Sequence, residues 1–194
     1  MAEAVRGKKR IGVLALQGDF EAHERALERA GAEPVEVRSA ADLRKIDGLV
    51  IPGGESTTML KLLEEEKLLG PVAEFGREHP VFGTCAGAIL LASEVSHPPQ
   101  PSLGLMDISV ERNAYGRQLD SRIAHLNPEG VEGDLEAVFI RAPIIRRVGA
   151  GARVLATYQG DPVLVEQGRH LVATFHPELT SDPRIHRMFL DKIP

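Results

Sequence analysis

Apolar residues in this chain fall into short runs separated by stretches of helical period, and that alternation predicts most of the architecture. "IGVLAL" (11–16) is a continuous apolar run of strand length. "DFEAHERALERAG" follows, with Phe20, His23, Leu27 and Ala30 on one helical stripe and Gly31 as a stop signal. "PVEVR" (34–38) and "DGLVIPGG" (47–54) read as the next strands, and Ser56 or Thr57 is placed to cap a helix over "TTMLKLLEEEKLL". "PVAEFGREH" reads as a further helix, and "PVFG" (80–83) as a strand running into a turn and the helix "AGAILLAS". Strand and helix alternating in this way imply parallel pairing, right-handed crossovers and helices on both sheet faces. Beyond the proline-rich loop "HPPQPSLG" (97–104) the pattern turns β-like: "LMDISVERNA", "EAVFIRAP", "ARVLATY", "PVLVEQ" and "HLVATF". The "QGD" and "QGRH" turns among them predict hairpins. The expected fold is α/β: a three-layer α/β/α sandwich on a mostly parallel central sheet with an antiparallel extension.

Composition narrows this picture. The 194 residues suit one domain, expected over 11–194, and the basic "MAEAVRGKKR" (1–10) reads as a flexible, solvated tail. A net charge of −5 gives no reason to expect nucleic acid or an anionic membrane as partner. The first apolar run is broken by Gln17, Gly18 and Asp19, too early for a signal peptide or a membrane span. One cysteine permits neither an internal disulfide nor a cysteine-rich zinc site, which fits a reducing cytoplasm. Nothing in the chain suggests a metal or an organic cofactor.

That one thiol, Cys85, sits in "FGTCAGAIL", between Gly83 and Gly87. The pattern matches a nucleophile elbow, a sharp strand-to-helix turn whose glycines relieve crowding around an exposed nucleophile. A helix N-terminus beneath the sulfur favours the thiolate. A lone cysteine is more often an inert small hydrophobe, and the glycine frame is what argues against that reading here. A base is sought among seven histidines, each by default a surface or capping residue. His23 lies on a helix, where local packing or hydrogen bonding accounts for it. His176 differs, because it ends "HLVATF" and opens "HPELTSD". Pro177 biases His176 toward extended backbone, in which residues two apart share a side, so His176 and Glu178 are expected to face one site. Nucleophile, base and orienting carboxylate complete the logic of a triad. The order Cys85, His176, Glu178, with the acid last, disfavours an ordinary α/β-hydrolase. "PGGEST" (52–57) lacks the Lys-Ser/Thr ending of a phosphate loop and serves better as a source of backbone N–H groups. Gly53 or Gly54 with Ala86 can then hold an oxyanion.

Together these motifs resemble the class I, triad-type glutamine amidotransferases, and within them the glutaminase subunits of pyridoxal phosphate synthase. The resemblance runs nearly end to end, through "LQGD" (16–19), "GLVIPGGESTTM" (48–59), "FGTCAGAILLA" (82–92), "LGLMDISVERNAYGRQ" (103–118), "FIRAP" (139–143) and "FHPELTSD" (175–182). It implies a flavodoxin-like class I glutaminase fold and hydrolysis of L-glutamine to L-glutamate and ammonia. It also implies catalysis by Cys85, His176 and Glu178, with main-chain oxyanion donors at Gly54 and Ala86. Substrate contacts map to Gly54, Glu55, Ser56, Arg112, Ile140 and Arg141, with Arg112 holding the α-carboxylate. The implied partner is a TIM-barrel synthase subunit that receives the ammonia, and Gln17 is the element expected to respond to it. In one departure, Ala22 stands where an acidic residue is expected before His23; Glu21 lies alongside, and no catalytic weight is placed there. Three other readings stay open: a different cysteine hydrolase or amidotransferase on a similar sheet, an α/β esterase, and a non-enzymatic subunit with Cys85 as a redox sensor.

Overall fold

A computed structural model describes residues 7–113 and 122–194. In chain order its elements begin with β1 (Arg10–Leu14), α1 (Phe20–Ala30), β2 (Glu33–Val37), β3 (Gly48–Ile51), α2 (Ser56–Glu65) and α3 (Leu69–Glu78). Then come β4 (Val81–Thr84), α4 (Ala86–Leu91), β5 (Ala92–Ser96), β6 (Met106–Glu111), β7 (Arg122–Leu126) and β8 (Leu135–Phe139). The chain closes with β9 (Ile144–Val148), β10 (Arg153–Tyr158), β11 (Asp161–Gln167), β12 (His170–Ala173) and α5 (Arg184–Leu190).

The central sheet has seven strands in the order β10-β11-β12-β4-β3-β1-β2. Strands β2, β1, β3, β4 and β12 pair in parallel, and β11 and β10 add an antiparallel edge. The parallel part therefore runs in the flavodoxin-like order that the resemblance implies, with its switch point between β1 and β3; the parallel pairing itself is what the alternation predicts. The two expected hairpin turns close β10 onto β11 and β11 onto β12, with Gly160 and Gly168 supplying the positive φ values of 85° and 55°.

Period-2 alternation decides what lies on each face. Leu49, Ile51, Val81 and Val172 point to one side, where they meet Met59, Leu63, Val72, Phe75 and Leu90 of α2, α3 and α4. Val50, Phe82, Leu171 and Ala173 point to the other, against Leu27 of α1 and Ile185 and Phe189 of α5. Each face is extended by a small sheet: β5-β6-β9 on the first and β7-β8 on the second. No helix among the described residues is long and apolar enough to cross a membrane.

Several local expectations are revised. The helix after the thiol stops at Leu91 rather than Ser93, because residues 92–96 turn into β5 and pair in parallel with β6. Strands β5, β7 and β9 were not anticipated. Neither Ser56 nor Thr57 caps α2: Glu55 does, accepting from the N–H groups of Thr57 at 3.0 Å and Thr58 at 2.7 Å. The end of the expected tail belongs to the fold, since Lys9 Nζ donates to the Leu190 and Ile193 carbonyls at 2.7 and 3.1 Å and Arg10 opens β1. Residues 1–6 lie outside the described residues.

Candidate active site

The loops that follow β1, β3, β4 and β12 meet at the carboxyl ends of the parallel strands, where open α/β sheets bind ligands. Cys85 occupies the tight turn between β4 and α4 with φ 51° and ψ −106°, backbone that a non-glycine residue adopts only when its surroundings enforce it. They do so here. The Cys85 N–H donates to the Ala173 carbonyl of β12 at 2.9 Å, and its carbonyl accepts from Ala88 at 3.0 Å. The flanking glycines are required by close approach: a Cβ on Gly83 would stand 2.5 Å from the Gly87 carbonyl, and one on Gly87 only 2.1 Å from the Ile51 oxygen. The elbow is thus wedged between β3 and its own helix. The thiol is buried, with Sγ 3.9 Å from the Ile140 carbonyl oxygen.

His176 lies beside it. A Cβ on Gly53 would come within 2.6 Å of His176 Cε1 and 3.4 Å of Cys85 Cβ, so a bare glycine is what lets imidazole and thiol share this corner. The His176 N–H is tied to the Val138 carbonyl of β8 at 2.8 Å, and its Nδ1–H donates to Glu178 Oε1 at 2.5 Å. The pairing does not come from extended backbone as expected: Pro177–Leu179 form a 3₁₀ turn that swings Glu178 under the ring. Burial acts to lower the His176 pKa, but interaction with the Cys85 sulfur and with Glu178 overcomes it and raises the value to about 10. The imidazole therefore keeps its proton at neutral pH beside the Cys85 sulfur. Asp19 Oδ2 stands 3.8 Å from the same Nδ1 but is half exposed. Asp19, His176 and Glu178 bring ligand atoms within 4.8 Å of one another. A cation there would have to displace the proton that ties base to acid.

A cavity of about 310 Å³ opens in front of the thiol, lined by Gly54, Glu55, Ser56, Cys85, Ala86, Ile89, Arg112, Asn113, Arg141 and Pro143. Two roomier hollows, of about 460 and 490 Å³, lie elsewhere and are lined by no thiol or hydroxyl side chain. Chemistry, not size, selects the smaller one. Of the residues expected at the site, Gly54, Glu55, Ser56, Ala86, Arg112 and Arg141 line this cavity with Cys85. Ile140 contributes its carbonyl. Gln17 sits behind Gly54, accepting at Oε1 from the Glu55 N–H at 3.3 Å, while the Asp19 N–H donates to the Gly53 carbonyl at 3.3 Å. Arg112 donates to Thr57 Oγ1 at 2.7 Å and lies 3.5 Å from Glu55 Oε1. Burial disfavours the Glu55 charge, but the Thr57 and Thr58 donors hold its carboxyl below the ordinary range. Ser56 turns inward and donates to Gln100 Oε1 at 3.2 Å. Of "RNAYGRQ", Arg112 and Asn113 are described; 114–118 lie outside the described residues.

Sequence reasoning missed Ile89, Asn113, Pro143 and Asp19. Ile89 was findable, four residues along the helix from Cys85 and so on its face. Of the histidines read by default as surface or capping residues, His170 and His186 are buried, while His23 is buried on the apolar stripe where the helical period places it.

Comparison with known proteins bears directly on this arrangement. The chain is 66% identical over 191 residues to the protein of Solibacter usitatus called pyridoxal 5'-phosphate synthase subunit PdxT, covering 95% of this chain and 100% of that one. A protein of the same name from Deinococcus radiodurans is 54% identical, covering 93% and 95% of the two chains. Among solved structures, one described as a glutamine amidotransferase superposes with a TM-score of 0.89 at 51% identity, over 94% of this chain and 97% of that one. The structure of PurLQS from Thermotoga maritima, at 18% identity and a TM-score of 0.68 over 95% and 98% of the chains, shares the fold. The model of the SNO glutamine amidotransferase family matches residues 13–194, and this chain belongs to that family.

Proposed function

We propose that this chain is the glutaminase subunit of a pyridoxal 5'-phosphate synthase, hydrolysing L-glutamine through Cys85, His176 and Glu178. One observation carries the reading: an imidazole held by a buried carboxylate at 2.5 Å keeps its proton beside a thiol on a strained elbow that faces a cavity. The names of the relatives supply the assembly.

In this mechanism the Cys85 sulfur attacks the side-chain amide carbon, and the oxygen takes up negative charge. The main-chain N–H groups of Gly54 and Ala86 receive that oxyanion; losing one such donor typically costs about 10²–10³ in turnover. His176 gives its proton to the departing nitrogen, ammonia leaves and a thioester remains. Water, deprotonated by the same imidazole, then releases glutamate. Glu178 orients the ring and balances its charge. Arg112 is the cation for the α-carboxylate, with Glu55 and Ser56 beside it; Ile140 and Arg141 close the opposite wall.

Ammonia then passes to a TIM-barrel synthase subunit, sheltered from water that would protonate it. Gln17 and Gly18 are the partner-sensitive element: their loop is laced by two hydrogen bonds to residues 53–55, which supply an oxyanion donor. A cytoplasmic setting keeps the single thiol reduced. The test is a glutamine-dependent ammonia assay with and without the synthase subunit. Release of ammonia that Cys85→Ala abolishes and the synthase accelerates is expected. Glutamine left intact in the complete assembly rejects the reading, and equal rates with and without the synthase reject the role of the Gln17 loop.

A further inference from the structure

Behind the triad lies a polar cluster of which the mechanism above uses only Glu178. His23 of α1, Thr84 at the end of β4, Glu178 and His186 of α5 are all buried. His23 Nδ1 lies 2.9 Å from His186 Nε2, and His23 Nε2 lies 3.0 Å from Thr84 Oγ1. The same His23 Nε2 stands 3.4 Å from Glu178 Oε2. Phe82 presents its edge geometry to both rings, with centroids 6.4 Å from His23 and 5.7 Å from His186, so the surroundings are apolar. Glu178 Oε1 belongs to His176, and Oε2 has no hydrogen-bond partner of ordinary geometry among the described residues. A buried carboxylate oxygen in that position depends on the donor turned toward it.

Proton bookkeeping identifies that donor. Burial, then the charges of His186 and His176, keep His23 far below its ordinary pKa; burial and then Arg29 take His186 to about 3. Both rings are neutral at physiological pH, each with one N–H, and one proton lies between His23 Nδ1 and His186 Nε2. If His23 Nδ1 held it, His186 would carry its own proton on Nδ1, which is buried and has no partner among the described residues. His23 Nε2 would then accept from the Thr84 hydroxyl and turn a lone pair toward the Glu178 carboxylate, 3.4 Å away. Stranded buried N–H groups are rare, and an unused imidazole lone pair is the milder defect. In the other arrangement His186 Nε2–H donates to His23 Nδ1, and His23 Nε2–H donates to Thr84 Oγ1 while its positive edge stands 3.4 Å from Glu178 Oε2.

We propose that His23, fixed in its Nε2–H form by His186, is a positioning residue for glutamine hydrolysis: it supports Oε2 of Glu178 so that Oε1 keeps the His176 ring aimed at Cys85. The line of support runs from α5 through α1 and the 3₁₀ turn to the nucleophile, and Thr84, the neighbour of Cys85, bonds to the same nitrogen. The inference rests on the Cys85–His176–Glu178 reading and deepens it.

A double-mutant cycle in the complete assembly tests it, with glutaminase turnover as readout. His23→Met removes the donor while retaining bulk. It is expected to lower kcat about 10- to 100-fold with KM within about threefold, as for a group acting only on the bond-breaking step. His23→Gln, whose amide can donate to Oε2, is expected to recover most of the loss. In a Glu178→Ala background, His23→Met is expected to cost less than about threefold further, since the carboxylate it serves is gone. Either of two outcomes overturns the proposal: His23→Met that folds and turns over within threefold of the parent, or losses that multiply independently in the cycle. Where His23→Met does not fold, His186→Met in the same cycle decides, because loss of the tautomer lock is expected to weaken turnover only while Glu178 is present. Cys85→Ala, assayed in parallel, separates the two claims. If it retains turnover the triad itself falls; if it abolishes turnover while His23→Met does not, only the role of His23 falls.

Discussion

The corner that holds the thiol and the outer wall of the cavity, its rim, are built by different means. Cys85, His176 and Glu178 are 8%, 4% and 5% exposed, and main-chain bonds to Ala173 and Val138 fix the first two. Arg112 and Arg141, on the rim, are held by side chains or scarcely at all. Arg112 leans on Thr57 and Glu55, while Arg141 is exposed, sits at φ 43° and has no side-chain hydrogen bond to the described residues. The difference teaches where rigidity is needed. Groups that break a bond must be held to fractions of an ångström, whereas a cation that binds a carboxylate can adjust as the ligand arrives. Substitution in the corner should therefore change turnover, and substitution on the rim should change affinity.

The largest effect falls in the corner. Cys85→Ala should leave the far-UV circular dichroism and melting temperature near those of the parent while cutting ammonia release by at least about 10³-fold. Residual turnover within tenfold of the parent contradicts the nucleophile assignment. His176→Asn should be nearly as severe. Glu178→Gln should cost less, about 10- to 100-fold in kcat, because the amide oxygen can still accept from His176 Nδ1–H but the charge is lost. On the rim, Arg112→Met should raise KM for glutamine by about tenfold with kcat within threefold, the expectation for losing a charge-assisted hydrogen bond to substrate. A fall in kcat at constant KM would move Arg112 to the bond-breaking side of the comparison.

The smallest effect is on stability against pH. His186 is lowered to about 3 and His170 to about 4, both chiefly by burial, and His23 is lowered as well. Each is neutral when folded, while the unfolded chain takes up protons below about pH 6.5. Their contribution is complete above that pH and is lost as pH falls toward 4. His176 runs the other way: its raised pKa contributes stability below about 6.5 that is lost as pH rises through about 10. Melting curves should therefore shift downward by several degrees from pH 6.5 to pH 4; a flat profile there would show that the interior histidines do not resist protonation.

How much of this was legible in the chain depends on whether one segment carried the signal. The parallel strands, buried on both faces, read as plain apolar runs. The elbow was legible because Gly83 and Gly87 flank Cys85 within five residues. Strands β5, β7 and β9 were not, since "ASEVS", "RIAHL" and "IIRRV" are five-residue segments that mix polar and apolar residues without strict alternation and become strands through pairing with β6 and β8. Glu55 as cap was hidden by Ser56 and Thr57, whose type is the more usual one, although a carboxylate can receive two backbone donors at once. His23 was legible on the inward stripe of its helix, but its partners were hidden: only the packing of α5 across α1 brings His186 within hydrogen-bonding distance.

If Cys85 is the nucleophile as proposed, a chain with a single sulfhydryl, recessed at the mouth of the cavity it lines, carries a built-in counter. Every equivalent of a small alkylating reagent taken up by the folded protein marks one working centre, with no background from other thiols to subtract. Reagents shaped like the natural amino acid should register faster than bulky maleimides of equal intrinsic reactivity, and that ratio would gauge how widely the entrance opens when other subunits assemble around it.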